Sequence, residues 1–449
     1  MNVNARQLPK DENDSNYYIY FMKHTTYEVT LKNGIKGLFI NIPNASVMDF
    51  NFNFRAGEYL VESLKSQVPH LVEHIVLGAN HQIPKARDFQ AELEKNGAFN
   101  TASTGIYDIN YEAECADFEW ERVLKLMLVA ISKPLFLEEE FKSEYGNVEE
   151  EMAYRSNNHF RTLGLTMRNK FGLIGKTDLE HLEIMKNITN VDIKDHYRST
   201  HHTTNMRFII AGKINQNRLK IIERLLEDIE LPTGNGRLDL PKEIPKKISK
   251  PVILDNKTVK NLYFYLDTFY LNRLSVKESD AMTIINTLLT ETLYSKILGK
   301  ARELGLVYGM SSGISNTKDY TNWWFASQVT SKNALALMDI MVYQIKLLKE
   351  NKISLKDINS TKSYLLGNHQ RGAQTVAGTI NRYIDQYFFD GRLELHEELP
   401  KRIKNIKRSD IVSVVNKMFD DDIWGIGILG DCSPYFANKM RSSIARLWE

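Results

Sequence analysis

Alternating apolar and polar residues near the start of the chain predict a group of β-strands. In "TYEVTLKNGIKGLFINI" two alternating runs are joined by Lys32-Asn33-Gly34, and in "SVMDFNFNF" every second residue from Met48 onward is apolar. Asn-Gly between two such runs is typical of a hairpin, and alternation is typical of a strand with one buried face. We therefore predict a hairpin followed by a third half-buried strand.

The spacing of apolar residues then changes to a mainly helical pattern. The pattern predicts, in chain order, a helix within 66–78, a helix near 86–96, a strand in which Tyr107, Ile109 and Tyr111 alternate with polar residues, helices at roughly 117–132 and 138–157, and a short buried strand at 206–214. Asn96-Gly97 is expected to stop the second of the helices. This first half therefore mixes strands and helices in an α+β order.

Residues 231–251, "LPTGNGRLDLPKEIPKKISKP", are the best linker candidate because prolines, glycines and lysines cluster there. After them the order of elements repeats: strands in "VILDN" and "NLYFYLDTFYL", a helix from about 278 to 303, strands through "GLVYGMSSGISN" and "NWWFASQVT", two long helices, and a closing strand "IWGIGILGD". The two halves also end alike, in "FIIAGKI" and "IGILGDC". We predict one α+β unit used twice, in domains 1–230 and 252–449.

Composition and charge narrow the classes of function. Of 449 residues 43% are hydrophobic and 25% charged, and 58 basic against 56 acidic side chains give a net charge of +2, which does not favour nucleic acid or an anionic membrane as the main partner. No apolar run approaches 18 residues, and the polar start "MNVNARQLPKDENDSNYY" does not resemble a signal peptide, so we expect a cytoplasmic protein. Cys115 and Cys432 match no metal or disulfide spacing and are expected to be inert core thiols.

The segment "HLVEH" is the first candidate for chemistry. On a helix, His70 and His74 project from the same face one turn apart and can bind one metal ion. Glu73 lies beside them, where it could take a proton from a bound water without ligating the metal. The same pattern also fits a core histidine packed beside Leu71 and Ile75, so a third metal ligand is needed to decide.

The helix "EEEFKSEYGNVEEEMAYR" supplies candidates for that ligand. Its buried stripe is formed by Phe141, Tyr145, Val148 and Met152. Glu144 and Glu151 lie on one shoulder of this stripe, two turns apart, whereas Glu149 and Glu150 point elsewhere and fit a solvated acidic face. A carboxylate that borders a buried face usually has a partner, and a metal ion with its surrounding groups is one such partner.

Together these motifs resemble a known family. His-x-x-Glu-His followed by Glu-x6-Glu on a helix is similar to the pitrilysin and insulin-degrading enzyme family, which includes the mitochondrial processing peptidase and short bacterial zinc proteases. The run from "FRAGEY" through "HLVEH" to "NTASTGIYDINYEAE", and "YSKILGKARELGLVYGMSSG" in the second half, extend the resemblance over most of the chain. The chain departs from the family in "SQVP" before His70, where members usually have a glycine and a small residue.

The resemblance implies a fold and a metal site. The fold is α+β, with two related sandwich domains like those of the mitochondrial processing peptidase, each a mostly antiparallel sheet packed against helices. His70, His74 and Glu151 would bind one Zn2+ per chain, Glu73 would be the general base, and Glu144 would support a ligand from outside the coordination sphere. The catalytic domain would then be 1–230, and the activity that of a zinc metalloendopeptidase.

The resemblance also implies how a peptide substrate is held. Asn100 and Ala102 would hold it as an added strand, and Arg302 and Tyr308 would contact it near the zinc. The equivalent helix of the second half, "VKESDAMTIINTLL", has no histidine, so one active site per chain is expected. In short members of the family two chains enclose a chamber, so we expect a homodimer, or a heterodimer with a related chain, in which Arg302 and Tyr308 act on the partner's zinc site.

Another class of function stays open at this point. A non-catalytic scaffold or partner subunit of a peptide-processing or maturation complex could use the same fold, although family members of that kind lose one or more metal residues. The other histidines, including His81, His201 and His202, show no ligand pattern, and we expect them at the surface.

Overall fold

Two β-sheets form the frame of residues 23–449, the part of the chain that the computed structural model describes; the polar start at 1–18 lies outside this range. The strands of the first sheet are β1 Thr25–Thr30, β2 Lys36–Asn41, β3 Val47–Phe54, β4 Phe99–Thr104, β5 Ile109–Ala116 and β6 Met206–Gly212. The strands of the second sheet are β7 Val252–Asp255, β8 Leu262–Tyr270, β9 Met310–Asn316, β10 Thr321–Val329 and β11 Ile423–Gly430.

Helices pack on both sheets. In the first half they are α1 Val68–Val76, α2 Ala86–Glu94, α3 Trp120–Ser132, α4 Glu138–Arg155, α5 His159–Lys170, α6 Asp178–Met185, α7 Asn190–Thr200 and α8 Gln216–Glu227. In the second half they are α9 Val276–Asn286, α10 Leu298–Glu303, α11 Ser331–Lys349, α12 Leu355–Gly372, α13 Val376–Ile384, α14 Leu399–Asn405, α15 Arg408–Lys417 and α16 Pro434–Ala445. None of these helices combines the length and the apolar character that crossing a bilayer requires.

The two sheets share one topology. Their strand orders are β1-β2-β6-β3-β5-β4 and β7-β11-β8-β10-β9, which are identical once β1 is set aside. In each sheet the closing strand pairs in parallel with the opening strand, β6 with β2 and β11 with β7, while the other pairs of these strands are antiparallel. The predicted α+β class, with two related and mostly antiparallel sheets, is therefore confirmed.

The likeness of the halves extends to one glycine at the end of each closing strand. Gly212 has φ 138° and Gly430 has φ 137°, a region that favours glycine. A Cβ at Gly212 would also lie 2.8 Å from the carbonyl oxygen of Val47, and one at Gly430 would lie 3.2 Å from that of Asn261. The matching endings "FIIAGKI" and "IGILGDC" thus reflect the same tight exit from the sheet.

The helix predicted at about 278–303 is wrong as one element. The α-helix ends at Asn286 and continues as a π-helical turn at Thr287–Glu291, after which α10 starts separately at Leu298. The hydroxyl of Thr290 donates to the carbonyl of Asn286 at 3.0 Å, and a side-chain donor of this kind competes with the backbone ladder. A pattern of apolar residues does not reveal this competition.

One helix of the second half covers the first sheet. On the face of that sheet opposite α1, Leu38, Ile40 and Ile209 pack against Ile380 and Tyr383 of α13 in one buried cluster. Burial on both faces explains why β2 and β6 are almost continuously apolar rather than alternating.

A helix of the first half covers the second sheet in return. Met167 of α5 and Phe171, just after it, are buried against β8, with the rings of Phe171 and Phe269 4.6 Å apart. The approach depends on glycine in β11, because a Cβ at Gly427 would lie 2.7 Å from Sδ of Met167. The two halves therefore exchange helices across the molecule.

The predicted linker, 231–251, contains neither helix nor strand, yet it is tied to both halves. Arg237 donates to Oδ1 of Asn53 at 2.7 Å and to the carbonyl of Phe388 at 2.8 Å. The buried carboxylate of Glu243 accepts the N–H of Ile174 at 3.0 Å. The segment is thus a packed connection, and the domain boundaries at 230 and 252 stay a prediction.

Several of the histidines predicted at the surface are buried instead: His181, His196, His201, His202 and His369. His201 is 1% exposed, its ring lies 4.3 Å from that of Phe54 and 4.5 Å from that of Tyr197, and its Nε2 is 2.9 Å from the hydroxyl of Tyr111. His202 is 7% exposed. Polar partners and aromatic neighbours make this burial tolerable, and burial holds the pKa of His201 well below its usual value. His81 is exposed, as predicted.

The cysteine prediction is confirmed. Cys115 and Cys432 are both free and buried. Burial raises the pKa of the Cys115 thiol to about 12, which keeps it protonated and unreactive.

We predict that Gly427→Val will destabilise the protein by about 1–3 kcal/mol, because the added side chain overpacks the contact between β11 and α5. The midpoint of urea unfolding measures this effect. Gly367→Ala on the exposed face of α12, where a Cβ would meet open space, is the matched control and should be neutral or slightly stabilising. Equal midpoints for the two variants would contradict the packing of α5 on the second sheet.

Candidate metal centre

Helix α1 is buried almost completely although it carries three polar side chains. Pro69 lies in its first turn, where proline is tolerated, and the helix ends before Gly78. It packs against α4 and α7 and lies over β4 and β5. Every one of its residues except His74 is buried, so His70 and Glu73 need partners inside the protein.

The structure brings His70, His74 and Glu151 together. Oε2 of Glu151, on α4, lies 3.1 Å from Nε2 of His70 and 3.5 Å from Nε2 of His74. One donor atom from each of the three residues falls within 4.8 Å of the other two. Glu144 and Glu151 are half-buried and Glu149 and Glu150 exposed, as the helical face argument predicts.

This arrangement fits a zinc ion. Zinc bonds of 2.0–2.2 Å in a tetrahedron place neighbouring ligand atoms about 3.3–3.5 Å apart. The distance from Glu151 to His74 lies in this range, and the distance from Glu151 to His70 is about 0.2 Å below it. Two imidazole nitrogens and one carboxylate oxygen are also a usual ligand set of catalytic zinc, in which the fourth position is left for water or substrate. The residues present can therefore hold the metal that the sequence predicts.

Both histidines have a hydrogen-bond partner at Nδ1, the ring nitrogen that faces away from Glu151. Nδ1 of His70 is 2.9 Å from Oε1 of Gln67, and Nδ1 of His74 is 2.9 Å from Oε2 of Glu144. The side-chain amide of Asn147 donates to the same Glu144 oxygen at 3.2 Å. An acceptor at Nδ1 keeps the proton there and leaves Nε2 to face the metal. The predicted supporting position of Glu144 is consistent with this contact.

The site is strongly polarised. Burial lowers the pKa of His74, but hydrogen bonds to Glu144 and Glu151 and the nearby charge of Glu73 outweigh it and raise the pKa to about 9. Hydrogen bonds from His70 and His74 hold the pKa of Glu151 well below its usual range. The other oxygen of Glu151 is paired with Arg155. Glu151 is therefore ionised and available to a cation at neutral pH.

Glu73 lies beside the three donors and is not one of them. It is 9% exposed, and its Oε2 accepts the hydroxyl of Thr104, the last residue of β4, at 2.8 Å. A buried carboxylate next to a metal site can accept a proton from a metal-activated water. The geometry is consistent with the predicted role of Glu73 as general base.

Asn100 and Ala102 lie on β4, which forms one edge of the first sheet. Asn100 donates its side-chain amide to Gln90 at 3.2 Å. β4 pairs with β5 on one side, so its other edge can receive a further strand. Its end at Thr104 reaches Glu73, and an added strand would therefore pass the metal donors.

Arg302 and Tyr308 contact each other and make no described contact with His70, His74 or Glu151. The Arg302 guanidinium is 5.0 Å from the Tyr308 ring and donates to the carbonyl of Tyr308. Tyr308 is 89% exposed. The described contacts of both residues stay within the second half, and none joins them to the metal donors.

Sequence reasoning missed several supporting residues. Gln67 and Arg155 were readable in part, because they lie three residues before His70 and four after Glu151, at helical spacing. Thr104 was not, since its contact with Glu73 depends on where β4 lies against α1. The contact of Asn147 with Glu144 likewise follows helical spacing.

Comparisons with protein families agree with the motifs. Residues 65–174 match the family described as insulinase, peptidase family M16, and residues 187–365 match the family described as peptidase M16 inactive domain. All the candidate metal ligands lie in the first match, and Arg302 and Tyr308 lie in the second.

Two curated relatives align with most of this chain over most of their own length. An uncharacterized zinc protease of Rickettsia felis is 22% identical over 398 residues, which cover 87% of this chain and 94% of the relative. An uncharacterized zinc protease of Rickettsia bellii is 22% identical over 413 residues, covering 89% and 96%.

Solved structures share the fold. A protease from Helicobacter pylori superposes with a TM-score of 0.81 at 19% identity, covering 92% of this chain and 100% of that one. A peptidase M16 inactive domain from Pseudomonas fluorescens superposes with a TM-score of 0.79 at 16% identity, covering 91% and 98%. The two-sheet architecture is therefore common to these chains.

We predict that the wild-type protein binds one Zn2+ per chain and that Glu151→Gln weakens this binding by at least about 100-fold, because a charged ligand is lost. Competition with a chelator of known affinity measures the change. Glu149→Gln, on the exposed face of the same helix, is the matched control and should bind as the wild type does. Equal affinities of the two variants would show that Glu151 does not bind the metal.

Proposed function

Because this chain belongs to peptidase family M16, we propose that it is a zinc-dependent endopeptidase that hydrolyses peptides or unfolded segments. The observation that carries this proposal is the position of Glu73. Its carboxylate is buried, accepts a hydrogen bond from Thr104, and lies on the same helix as His70 and His74, two of the three side chains that fit zinc. Metal donors and a proton acceptor in one place are what metal-assisted hydrolysis of an amide requires.

The residues around the site have complementary tasks. A zinc ion held by His70, His74 and Glu151 would supply Lewis acidity and lower the pKa of a water molecule toward neutrality. Glu73 would accept the proton of the attacking water and return it to the leaving amine. The hydroxyl of Thr104 occupies one oxygen of Glu73, which fixes the carboxylate while the other oxygen is available for the proton.

The edge of β4 favours an extended substrate. A peptide that adds to this edge would form backbone hydrogen bonds with the segment containing Asn100 and Ala102 and would cross α1 near Glu73. A folded protein cannot offer an isolated strand of this kind without local unfolding. Peptides and unfolded chains are therefore the expected substrates.

A scaffold without catalytic activity is disfavoured. Such a role does not require a metal site, and here the donors, the carboxylate that could act as base, and the groups that orient the histidines all lie together in the described part of the chain. The burial of Glu73 would be a cost without benefit in a scaffold.

The direct test is Glu73→Gln. This variant should keep its zinc and lose at least about 100-fold in peptide cleavage, because only the proton acceptor is removed. Mass spectrometry of a mixed peptide pool measures the cleavage, and metal analysis checks the zinc. Glu149→Gln serves as the active control. Cleavage by Glu73→Gln at the wild-type rate would refute the mechanism.

We further propose a homodimer in which Arg302 and Tyr308 act on the partner's substrate. Support comes from the exposure of Tyr308 and from the confinement of both residues' contacts to the second half of their own chain. An exposed aromatic side chain beside a guanidinium is suited to binding a peptide carbonyl or a developing oxyanion once a second chain supplies it.

Mixing two inactive variants tests this arrangement. Glu73→Gln and Tyr308→Phe chains combined in equal amounts should recover roughly a quarter of wild-type activity, since half of the dimers would be mixed and each would have one intact site. Each variant alone, at the same total concentration, is the control. No recovery at any ratio, with mixed dimers verified by differential tags, would place Tyr308 in the same chain's site or outside catalysis.

A further inference from the structure

We propose that Gln67 is a positioning residue that sets the orientation of His70 for zinc, an inference that rests on the proposed function. Oε1 of Gln67 lies 2.9 Å from Nδ1 of His70, and both residues are only 6% exposed. A buried hydrogen bond of this kind is protected from competition with water. It therefore selects one orientation of the ring rather than merely tolerating it.

At the start of α1 the Gln67 side chain makes no capping bond and is free for this task. Gln67 is the N-cap residue, and an N-cap side chain usually accepts an N–H from the second or third residue of the helix. The second residue is Pro69, which has no N–H, and the side chain of Gln67 makes no capping bond. Its backbone carbonyl accepts the N–H of Leu71 at 3.1 Å, which is the first hydrogen bond of the helix.

The chemistry of the contact has one consistent proton assignment. Gln67 presents a carbonyl oxygen, so Nδ1 of His70 carries the proton and donates it. The lone pair of Nε2 then points toward Oε2 of Glu151, where the ion would lie. With the ring turned over, a carbon would face Gln67, and its buried oxygen would lose its partner.

The two histidines are therefore held by acceptors of different charge. His74 donates to the carboxylate of Glu144, whereas His70 has a neutral amide.

The test is zinc affinity measured by chelator competition on the full-length chain, together with the visible absorption of the Co2+-substituted protein. Gln67→Met, which has a similar size but no acceptor, should bind zinc about 10–100-fold more weakly and show altered Co2+ bands. Gln67→Glu restores an acceptor and should bind within about threefold of the wild type or more tightly. Ser66→Ala, which removes the neighbouring buried contact to His181 at 3.1 Å, is the matched control and should leave the affinity unchanged.

Each outcome is decisive. Wild-type affinity and an unchanged Co2+ spectrum in Gln67→Met would overturn the inference, as would an equal loss in Gln67→Met and Gln67→Glu. If Gln67→Met fails to fold by circular dichroism, Gln67→Asn replaces it, since the shorter amide does not reach Nδ1. A wild-type protein that binds no zinc would overturn this inference and the proposed function together, whereas one that binds zinc but cuts no peptide would overturn only the latter.

Discussion

The burial of polar side chains on α1 is the constraint on which the rest of the first half depends. His70 and Glu73 lie inside the protein, where an unpaired polar group is costly, and each has a partner on a different helix or strand. Glu151 comes from α4 and Thr104 from the end of β4. The contacts that bring the metal donors together therefore also hold α1 against α4 and against β4.

Most of this arrangement was readable from local patterns. The hairpin follows from a period of two residues, and the shoulder position of Glu151 follows from a period of 3.6 residues. The stop at Asn96-Gly97 follows from residue types that tolerate a positive φ, and Asn96 has φ 62°. The family resemblance rested on the same short motifs, and it is confirmed. The local elements and the family motifs each depend on residues that are close in sequence, so one amino-acid sequence was enough to predict them.

Most of what escaped prediction depends on neighbours that are distant in sequence. The buried position of His201 depends on Phe54 and Tyr111, which come from strands β3 and β5. The break after Asn286 is local, but it involves a hydrogen bond from the Thr290 hydroxyl that a pattern of apolar residues does not show. The exchange of α5 and α13 between the halves has no local signal either, although the continuous apolar character of β2 and β6 is its consequence. The sequence predicted that β6 is buried but that β2 has one exposed face, and it did not show what covers either strand.

The exchange of helices between the halves has a consequence for folding during synthesis. The first sheet is complete in sequence at Gly212, but the residues that cover its outer face extend to Phe388, about 175 residues later. At 5–20 residues per second the ribosome needs on the order of 10 to 35 s to synthesise that interval. During that interval α13 cannot yet cover Leu38, Ile40 and Ile209. The nascent first half therefore exposes an apolar sheet face, which makes it prone to aggregation until the second half is synthesised.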